Sequence, residues 1–389
     1  HNRCRRQRQM CIRDSPWRFD GFPGRVLWVD LTAGTCVARD IPHEWCLNHM
    51  GGKALATKLL VEWDTTDYEQ ATANQHPITG RMDTASHPTT PLLFMTGPYQ
   101  GTKVGSSGRA VVVTRSPLTE CYIDTYIGGN IGHDLRKAGW DGLFITGASE
   151  SWVRLEINDS DATLHPAEDL LGKTTWETEQ ALAELGECLS IGPAGENGVR
   201  IASPLTAGRR AAGRGGTGAS FGFKRLKAFT VKASKEAAAQ QRHAEDFSLS
   251  EAIKEQRKEM GTRRKYGDPF YAFGTSRGPI YAAENGRMPT ANYTSTDAQI
   301  PKMSDLKVGG GQGGQTAKAV SAGAQAVSVV SAMDTHELSG EHWHESLPDA
   351  KQSGCCAPCP IACEAADRPT VDGVRTVSYT HLRAHETHE

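Results

Sequence analysis

Two periodicities divide this chain, and one gives way to the other near residue 235. Residues 24–30 (GRVLWVD) alternate apolar and polar positions as a half-buried strand does. A turn at Thr32-Ala33-Gly34 returns the chain into 35–41, so the pair predicts a hairpin. Gly51-Gly52 opens an apolar-periodic helix over 53–62, and 63–90 is a polar surface excursion rich in Thr, Asp, His and Pro. The runs 91–96 (PLLFMT), 109–114 (RAVVVT), 142–147 and 152–157 predict further strands, with helices over 133–138 and 174–185; 189–195 follows, and 226–232 closes a unit in which strands dominate. From Phe247 the pattern turns helical, opening on Ser248-Leu249-Ser250-Glu251, a capping sequence. The fold class is therefore α+β. A strand-rich N-terminal domain over 24–232 is followed by the start of a mainly helical domain over 235–376. Residues 305–332 are nearly all Gly, Ala, Val, Ser, Gln and Lys, and no structure is assigned to them.

The ends change the picture. Residues 5–15 (RRQRQMCIRDS) read as a translated sequencing adapter, and 377–387 (VSYTHLRAHET) read as its partner. Residues 1–15 and 377–389 are accordingly expected to be non-native, and the natural part to be a piece of a longer protein. The basic N-terminus lacks the apolar region that an export signal needs. A net charge of −2 over 389 residues gives no sign of nucleic-acid binding. No apolar run approaches a membrane span. Of the 10 cysteines, Cys4 and Cys11 lie in the adapter, while Cys36, Cys46, Cys121 and Cys188 are scattered and read as small buried hydrophobes. Clustered thiols without a signal peptide suit a reducing cytoplasm.

That cluster is 355–363 (CCAPCPIAC), where Cys356, Cys359 and Cys363 stand in C-x2-C-x3-C spacing. Thiolates this close on a tight turn favour a soft cation. A [4Fe–4S] cluster, held by close cysteines and a remote one, fits best. Structural zinc and free or disulfide-bonded cysteines are the alternatives, although zinc more usually shows a second Cys or His pair. His342-Trp343-His344 reads as exposed helix-end histidines rather than a metal pair.

Residues 209–218 (RRAAGRGGTG) set three arginines among four glycines. Glycines let backbone approach a ligand, successive N–H groups form an anion nest, and guanidinium forks bind phosphate oxygens. Gly213-x-Gly215-x-x-Gly218 formally matches a dinucleotide fingerprint. The match is weak, because no βαβ unit is apparent around it. Ser107-Gly108-Arg109 and Gly128-Gly129 form a second constellation of this kind, and 192–197 (GPAGEN) is a rigid turn that could line the same cleft. Two such sites beside a cluster motif point to a large, multiply phosphorylated cofactor next to an electron relay.

These residues resemble the aldehyde ferredoxin oxidoreductase family of tungsten- or molybdenum-pterin enzymes. The stretches that carry the resemblance are GRVLWVDLTAGT, GGKALATKLL, LLFMTGPYQGT, SGRAVVVTRSPLT, GGNIGHDLRKAGWDGLFITG, GKTTWETE, IGPAGENGVRIA, GRRAAGRGGTGASFGFKRLKAF and CAPCPIAC. They cover almost all of 24–232 in order and resume around 273–300 and 337–363. The resemblance implies two pterins holding one tungsten or molybdenum atom beside a [4Fe–4S] cluster. It places Arg109, Gly128, Arg210, Ala211, Gly213 and Arg214 on the pterins and their phosphates, and Cys356, Cys359 and Cys363 on the cluster. It further implies oxidation of aldehydes to carboxylic acids with ferredoxin as electron acceptor, in the cytoplasm of an anaerobe. The family often places Asn at the position of Tyr126, beside a magnesium ion bridging the pterins. A phenol does not replace an amide oxygen, so that shell is expected to be altered. The fourth cluster cysteine and the catalytic acid and base are expected beyond Thr376. Reduction of an aromatic acyl thioester or another carbonyl compound with the same cofactor is the alternative among enzymes. A zinc-stabilised binding module and a nicotinamide dehydrogenase are the alternatives outside that family. A homo-oligomer is left open.

Overall fold

The hairpin at residue 25 seeds a sheet. The computed structural model describes residues 19–68, 85–208, 210–241, 248–265, 351–353, 364–371 and 374–377. β1 (Arg25–Asp30) pairs antiparallel with β2 (Thr35–Asp40), Val26 opposite Arg39 and Val29 opposite Cys36. After α1 (His43–His49) and α2 (Gly52–Tyr68) come β3 (Leu92–Met95), β4 (Ala110–Arg115), β5 (Tyr122–Ile127), α3 (Ile131–Lys137) and β6 (Gly142–Thr146). These strands form a six-stranded sheet in the order β2-β1-β6-β3-β4-β5. β1 and β6 run parallel, and the other neighbours antiparallel.

A second six-stranded sheet is built from β7 (Val153–Asn158), β8 (Asp161–Pro166), β9 (Glu187–Ser190), β10 (Leu205–Thr206), β11 (Arg210–Ala211) and β12 (Leu226–Lys232). Its order is β11-β10-β9-β12-β7-β8, with β12 parallel to β7. α4 (Thr175–Ala181), α5 (Pro193–Glu196) and α6 (Thr217–Phe223) connect its strands. α7 (Lys235–Ala239) and α8 (Leu249–Lys265) follow. A first compact unit ends at Ile253 and a second takes up the chain from Lys254. Within the second, β13 (Lys351–Ser353), β14 (Glu364–Val371) and β15 (Val374–Val377) form a three-stranded antiparallel sheet.

The central strands are apolar throughout because both of their faces are covered, which removes the alternation a half-buried strand shows. One face of the first sheet sends Leu27, Val29, Phe94, Val112, Leu143 and Ile145 into a core shared with Leu155, Ile157, Leu189, Phe229 and Val231 of the second sheet. The other face packs Val26, Leu93, Met95, Val111 and Phe144 against Cys46 of α1 and Leu55, Ala56, Leu59 and Leu60 of α2. The sheet is thus a middle layer between a helical layer and a second sheet.

One buried ion pair ties this layer together. Arg136 on α3 and Asp141 have no exposed side-chain surface and pair directly. Asp141 also accepts from the backbone N–H groups of Gly24 (2.6 Å) and Arg25 (3.0 Å). Arg136 donates to Thr96 Oγ1 (3.3 Å) and to Gly21 O (2.5 Å). Burial pushes the Asp141 carboxyl up, while Arg136 and the two backbone donors pull it back.

The predicted helix over 174–185 is shorter. Thr174 and Glu177 form a reciprocal capping box, but the helix ends at Ala181 and continues as a 3-10 turn, Ala183–Leu185. The stretch 189–195 divides between the end of β9 and the start of α5 at Pro193. The sequence pattern passed over α1, β5, β8, the β10–β11 pair and α6. β10 and β11 have two residues each, too short for a period to register. No helix among the described residues is long and apolar enough to cross a membrane.

Candidate functional site

β5 is the edge strand on which the predicted residues gather. Its alternation sends Ile123, Thr125 and Ile127 toward the second sheet, and Tyr122, Asp124 and Tyr126 toward α2. On the first side lies the glycine-rich turn. The Arg214 N–H donates to Thr125 Oγ1 (3.4 Å), and Ser116 Oγ donates to Gly215 O (2.7 Å). A Cβ on Gly215 would run into Ile123, and one on Gly216 would run into the carbonyl of Arg200. Both glycines have positive φ, +84° and +72°, so the turn presses on the strand in a conformation that only glycine takes without strain.

The two Arg/Gly constellations meet here. Ala110 is opposite Ile127 in the β4–β5 ladder, so Arg109 and Gly128 occupy the next position beyond it. In the β10–β11 pair Thr206 faces Arg210 and Leu205 faces Ala211. The side of Gly129 on which a Cβ would stand faces Thr206 Cγ2 at 3.1 Å and Arg210 Cγ at 3.9 Å. Arg109, Gly128, Arg210, Ala211, Gly213 and Arg214 are therefore assembled around β5 and its C-terminal end. Arg109, Ala211, Gly213 and Arg214 are exposed, Arg210 is half-buried and Gly128 is buried. Nothing stands within 4 Å of where a Gly213 Cβ would lie. Three arginines beside open backbone suit a ligand bearing phosphates. The residues present fit such a group.

The opposite side of β5 is different. Lys53 on α2 pairs with Asp124 (3.6 Å), and Tyr122 Oη shares a hydrogen bond with Thr57 Oγ1 (3.2 Å). The Asp124 carboxylate, and after it Tyr126, raises the Lys53 ammonium above its ordinary range. A groove of about 510 Å³ runs between Lys53, Thr57, Lys58, Val61, Tyr122 and Asp124. Tyr126 is exposed on this side and offers a phenol where the resemblance led to an amide.

Other predicted features have other roles or lie outside the described residues. Glu196 of the GPAGEN turn pairs with the buried ammonium of Lys227, which also donates to Lys173 O (2.9 Å) and Ile191 O (2.7 Å). Its oxygens also accept from Gly172 N (3.0 Å), so this carboxylate holds the second sheet together. The fingerprint glycines follow β11, which pairs antiparallel with β10 and stands three places from β12, so the βαβ unit of a dinucleotide site is absent there. Arg209, His342, His344, Cys356, Cys359 and Cys363 lie outside the described residues. Among the described residues no group of three or more His, Cys, Asp and Glu could hold a metal.

Sequence reasoning missed β5, although its signal is present in YIDTYI, where Tyr, Asp and Tyr alternate with Ile, Thr and Ile. It also missed Gln100 and His133. Gln100 Oε1 accepts from Gly97 N (2.7 Å), and its Nε2 donates to Gly108 O (3.1 Å). His133 Nδ1 accepts from Gly101 N (2.9 Å), and burial, with the nearby Lys137, holds its pKa down to about 4. A lone Gln and a lone His carry no periodicity that marks them.

Comparison with known proteins gives a consistent picture. A family model described as "Aldehyde ferredoxin oxidoreductase, N-terminal domain" matches residues 26–233. A "Tungsten-containing aldehyde ferredoxin oxidoreductase" of Pyrococcus abyssi is 34% identical over 281 residues, covering 70% of this chain and 43% of that protein. The "Aliphatic sulfonate oxidoreductase, WOR-like subunit" of Pyrococcus furiosus is 28% identical over 235 residues, covering 55% of this chain and 35% of that protein. The chain thus spans less than half the length of these curated relatives. Among solved structures, "Active site complex BamBC of Benzoyl Coenzyme A reductase in complex with 1,5 Dienoyl-CoA" superposes with a TM-score of 0.66 at 24% identity, covering 93% of this chain and 50% of that one. That last likeness is one of fold.

Proposed function

The chain belongs to the aldehyde ferredoxin oxidoreductase family, and from that premise we propose that its protein oxidises aldehydes to carboxylic acids at a tungsten or molybdenum bis-pterin centre. A [4Fe–4S] cluster, when bound, would relay the electrons to ferredoxin. The observation that carries this reading is the convergence of Arg109, Gly128, Arg210, Ala211, Gly213 and Arg214 around β5. The bound metal supplies the oxygen and electron chemistry, and the protein supplies position, charge and an electron path. In this reading residues 24–232 are the pterin-binding domain, and Arg109, Arg210 and Arg214 neutralise cofactor phosphates. Residues 235–376 carry the cluster ligands Cys356, Cys359 and Cys363, and residues 1–15 and 377–389 are adapter-derived. A magnesium ion beside the pterins would lack the amide oxygen that the family often supplies, because Tyr126 offers a phenol there.

A second reading keeps the cofactor and reverses the chemistry, to reduction of an aromatic acyl thioester. The likeness of fold to the benzoyl coenzyme A reductase complex favours it. One experiment tests both. The full-length gene product is made anaerobically, Fe, W, Mo and Zn are determined together, and aldehydes with ferredoxin are assayed beside acyl thioesters. About four irons with one tungsten or molybdenum per chain, and aldehyde-dependent ferredoxin reduction, is the expected result. The same metals with thioester turnover alone would select the second reading. Zinc without tungsten or molybdenum would leave a colourless structural site and overturn both.

A further inference from the structure

Residues 97–108 form a loop between β3 and β4 that delivers the chain to Arg109, and side chains close it. Gln100 is fully buried and spends both ends of its amide on the two ends of the loop, taking the Gly97 N–H and giving to the Gly108 carbonyl. The middle of the loop is held by His133 on the Gly101 N–H and by Gln241, which donates to Gly101 O (3.0 Å). Ser107 Oγ adds bonds to Val104 O (2.8 Å) and Tyr99 O (3.2 Å). Gln100 also packs against the start of α3, just past the second half of the constellation. A Cβ on Gly132 would run into its amide and would stand 2.7 Å from Ala110 Cβ, so the first turn of α3 closes on Gln100 because residue 132 has no side chain.

We propose that Gln100 is a positioning residue for Arg109. It fixes Gly108, the residue before Arg109, relative to both Gly97 and the start of α3 at Gly132, and so sets where the Arg109 guanidinium meets a phosphate. This rests on the reading of Arg109 as a phosphate contact. Free in an open loop, the arginine would sample many placements, and binding would have to order them. The amide is suited to this because one group both accepts and donates, and burial leaves its partners no water to exchange with.

The test is a double-mutant cycle in the 389-residue chain, with inorganic pyrophosphate as probe in isothermal titration and the melting temperature followed alongside. Gln100→Met keeps the length of the side chain and removes both hydrogen bonds. Affinity should fall about fivefold, the worth of one to two ordinary hydrogen bonds. Arg109→Ala should weaken binding more. In the Arg109→Ala background, Gln100→Met should then have no further effect, because it acts through the guanidinium. Equal losses from Gln100→Met with and without Arg109, or no loss from it, would overturn the positioning role while leaving Arg109 a phosphate contact. Unchanged binding in Arg109→Ala, or no binding by the parent chain, would overturn the reading of Arg109 and the inference with it. If Gln100→Met does not fold, Gln100→Glu keeps the bond to Gly97 and sets a carboxylate oxygen against Gly108 O, with the same expectation. Failure of both to fold makes Gln100 a purely structural residue and overturns the proposal.

Discussion

Two arginine–glycine constellations meet at β5, and they are held in place by different means. Around Arg109 the backbone is pinned by side chains, with Gln100, His133, Ser107 and Gln241 each hydrogen-bonded to the 97–108 loop. The buried Arg136–Asp141 pair lies beneath them, since a Cβ on Gly101 would meet Arg136 Cγ at 3.2 Å. Around Arg214 the missing side chains do the positioning. Gly215, Gly216 and Gly218 let the turn close on Ile123, Arg200 and Ala202. The first device depends on hydrogen bonds and is open to titration. The second is steric and indifferent to pH. A ligand held between them would meet one wall that is chemically tunable and one that is fixed by shape.

Breaking the support of the first wall should have the largest effect. Asp141→Ala leaves the buried Arg136 guanidinium without its carboxylate and should cost about 3–5 kcal/mol of stability, read as a large loss in denaturant midpoint. A loss below about 1 kcal/mol would mean that the pair is no support at all. The second wall comes next. Gly216→Ala forces a Cβ into the Arg200 carbonyl at positive φ and should cost about 2–3 kcal/mol at every pH from 5 to 8.

The pH response separates the two walls. His133 is held neutral in the fold with its pKa down at about 4 against an ordinary 6.5. Its unfolded form therefore takes up a proton first as pH falls. Stability contributed by the neutral ring is full above about 6.5 and is lost as pH drops toward 4, by on the order of 2 kcal/mol. Protonation would also cancel the acceptor that Gly101 uses. Thermal unfolding between pH 4 and 7 should show this slope, and His133→Asn, which keeps an acceptor but no titrating ring, should flatten it. An identical slope in the variant would assign it to other groups. The smallest expected effect is at Gly213, where space is open and no positive φ is imposed. Gly213→Ala should change stability by less than about 0.5 kcal/mol, whereas Arg214→Ala in the full-length protein should lower pterin occupancy. Full metal loading in Arg214→Ala would mean that the turn faces solvent instead.

Much of this was legible beforehand because each signal was local. The runs PLLFMT and RAVVVT and the alternation of GRVLWVD give strands within a residue or two of β3, β4 and β1. Arginines among glycines mark residues 209–218 out by composition, as the stretch proposed to meet an anion. What escaped was either short, as with the β10–β11 pair, or a single polar residue whose partners are local in space rather than along the chain. His133 meets Gly101 across 32 residues, and nothing in GGNIGHDL shows that its ring accepts a backbone N–H. The GPAGEN turn was legible as rigid, but the direction of Glu196, toward Lys227 across 31 residues, was not.

By itself the sequence determined the α+β class, the family and which residue types stand in the two arginine–glycine stretches. These follow from hydrophobic period and motif chemistry, which are written in neighbouring positions. The tertiary structure decided that Arg109 and Arg214, distant along the chain, flank one edge strand, and that Tyr126 lies on the α2 side of that strand while Thr125 lies under the glycine turn. Strand order and register cause this, because a pleated strand sends successive side chains to opposite faces and only its pairing partners decide what each face meets.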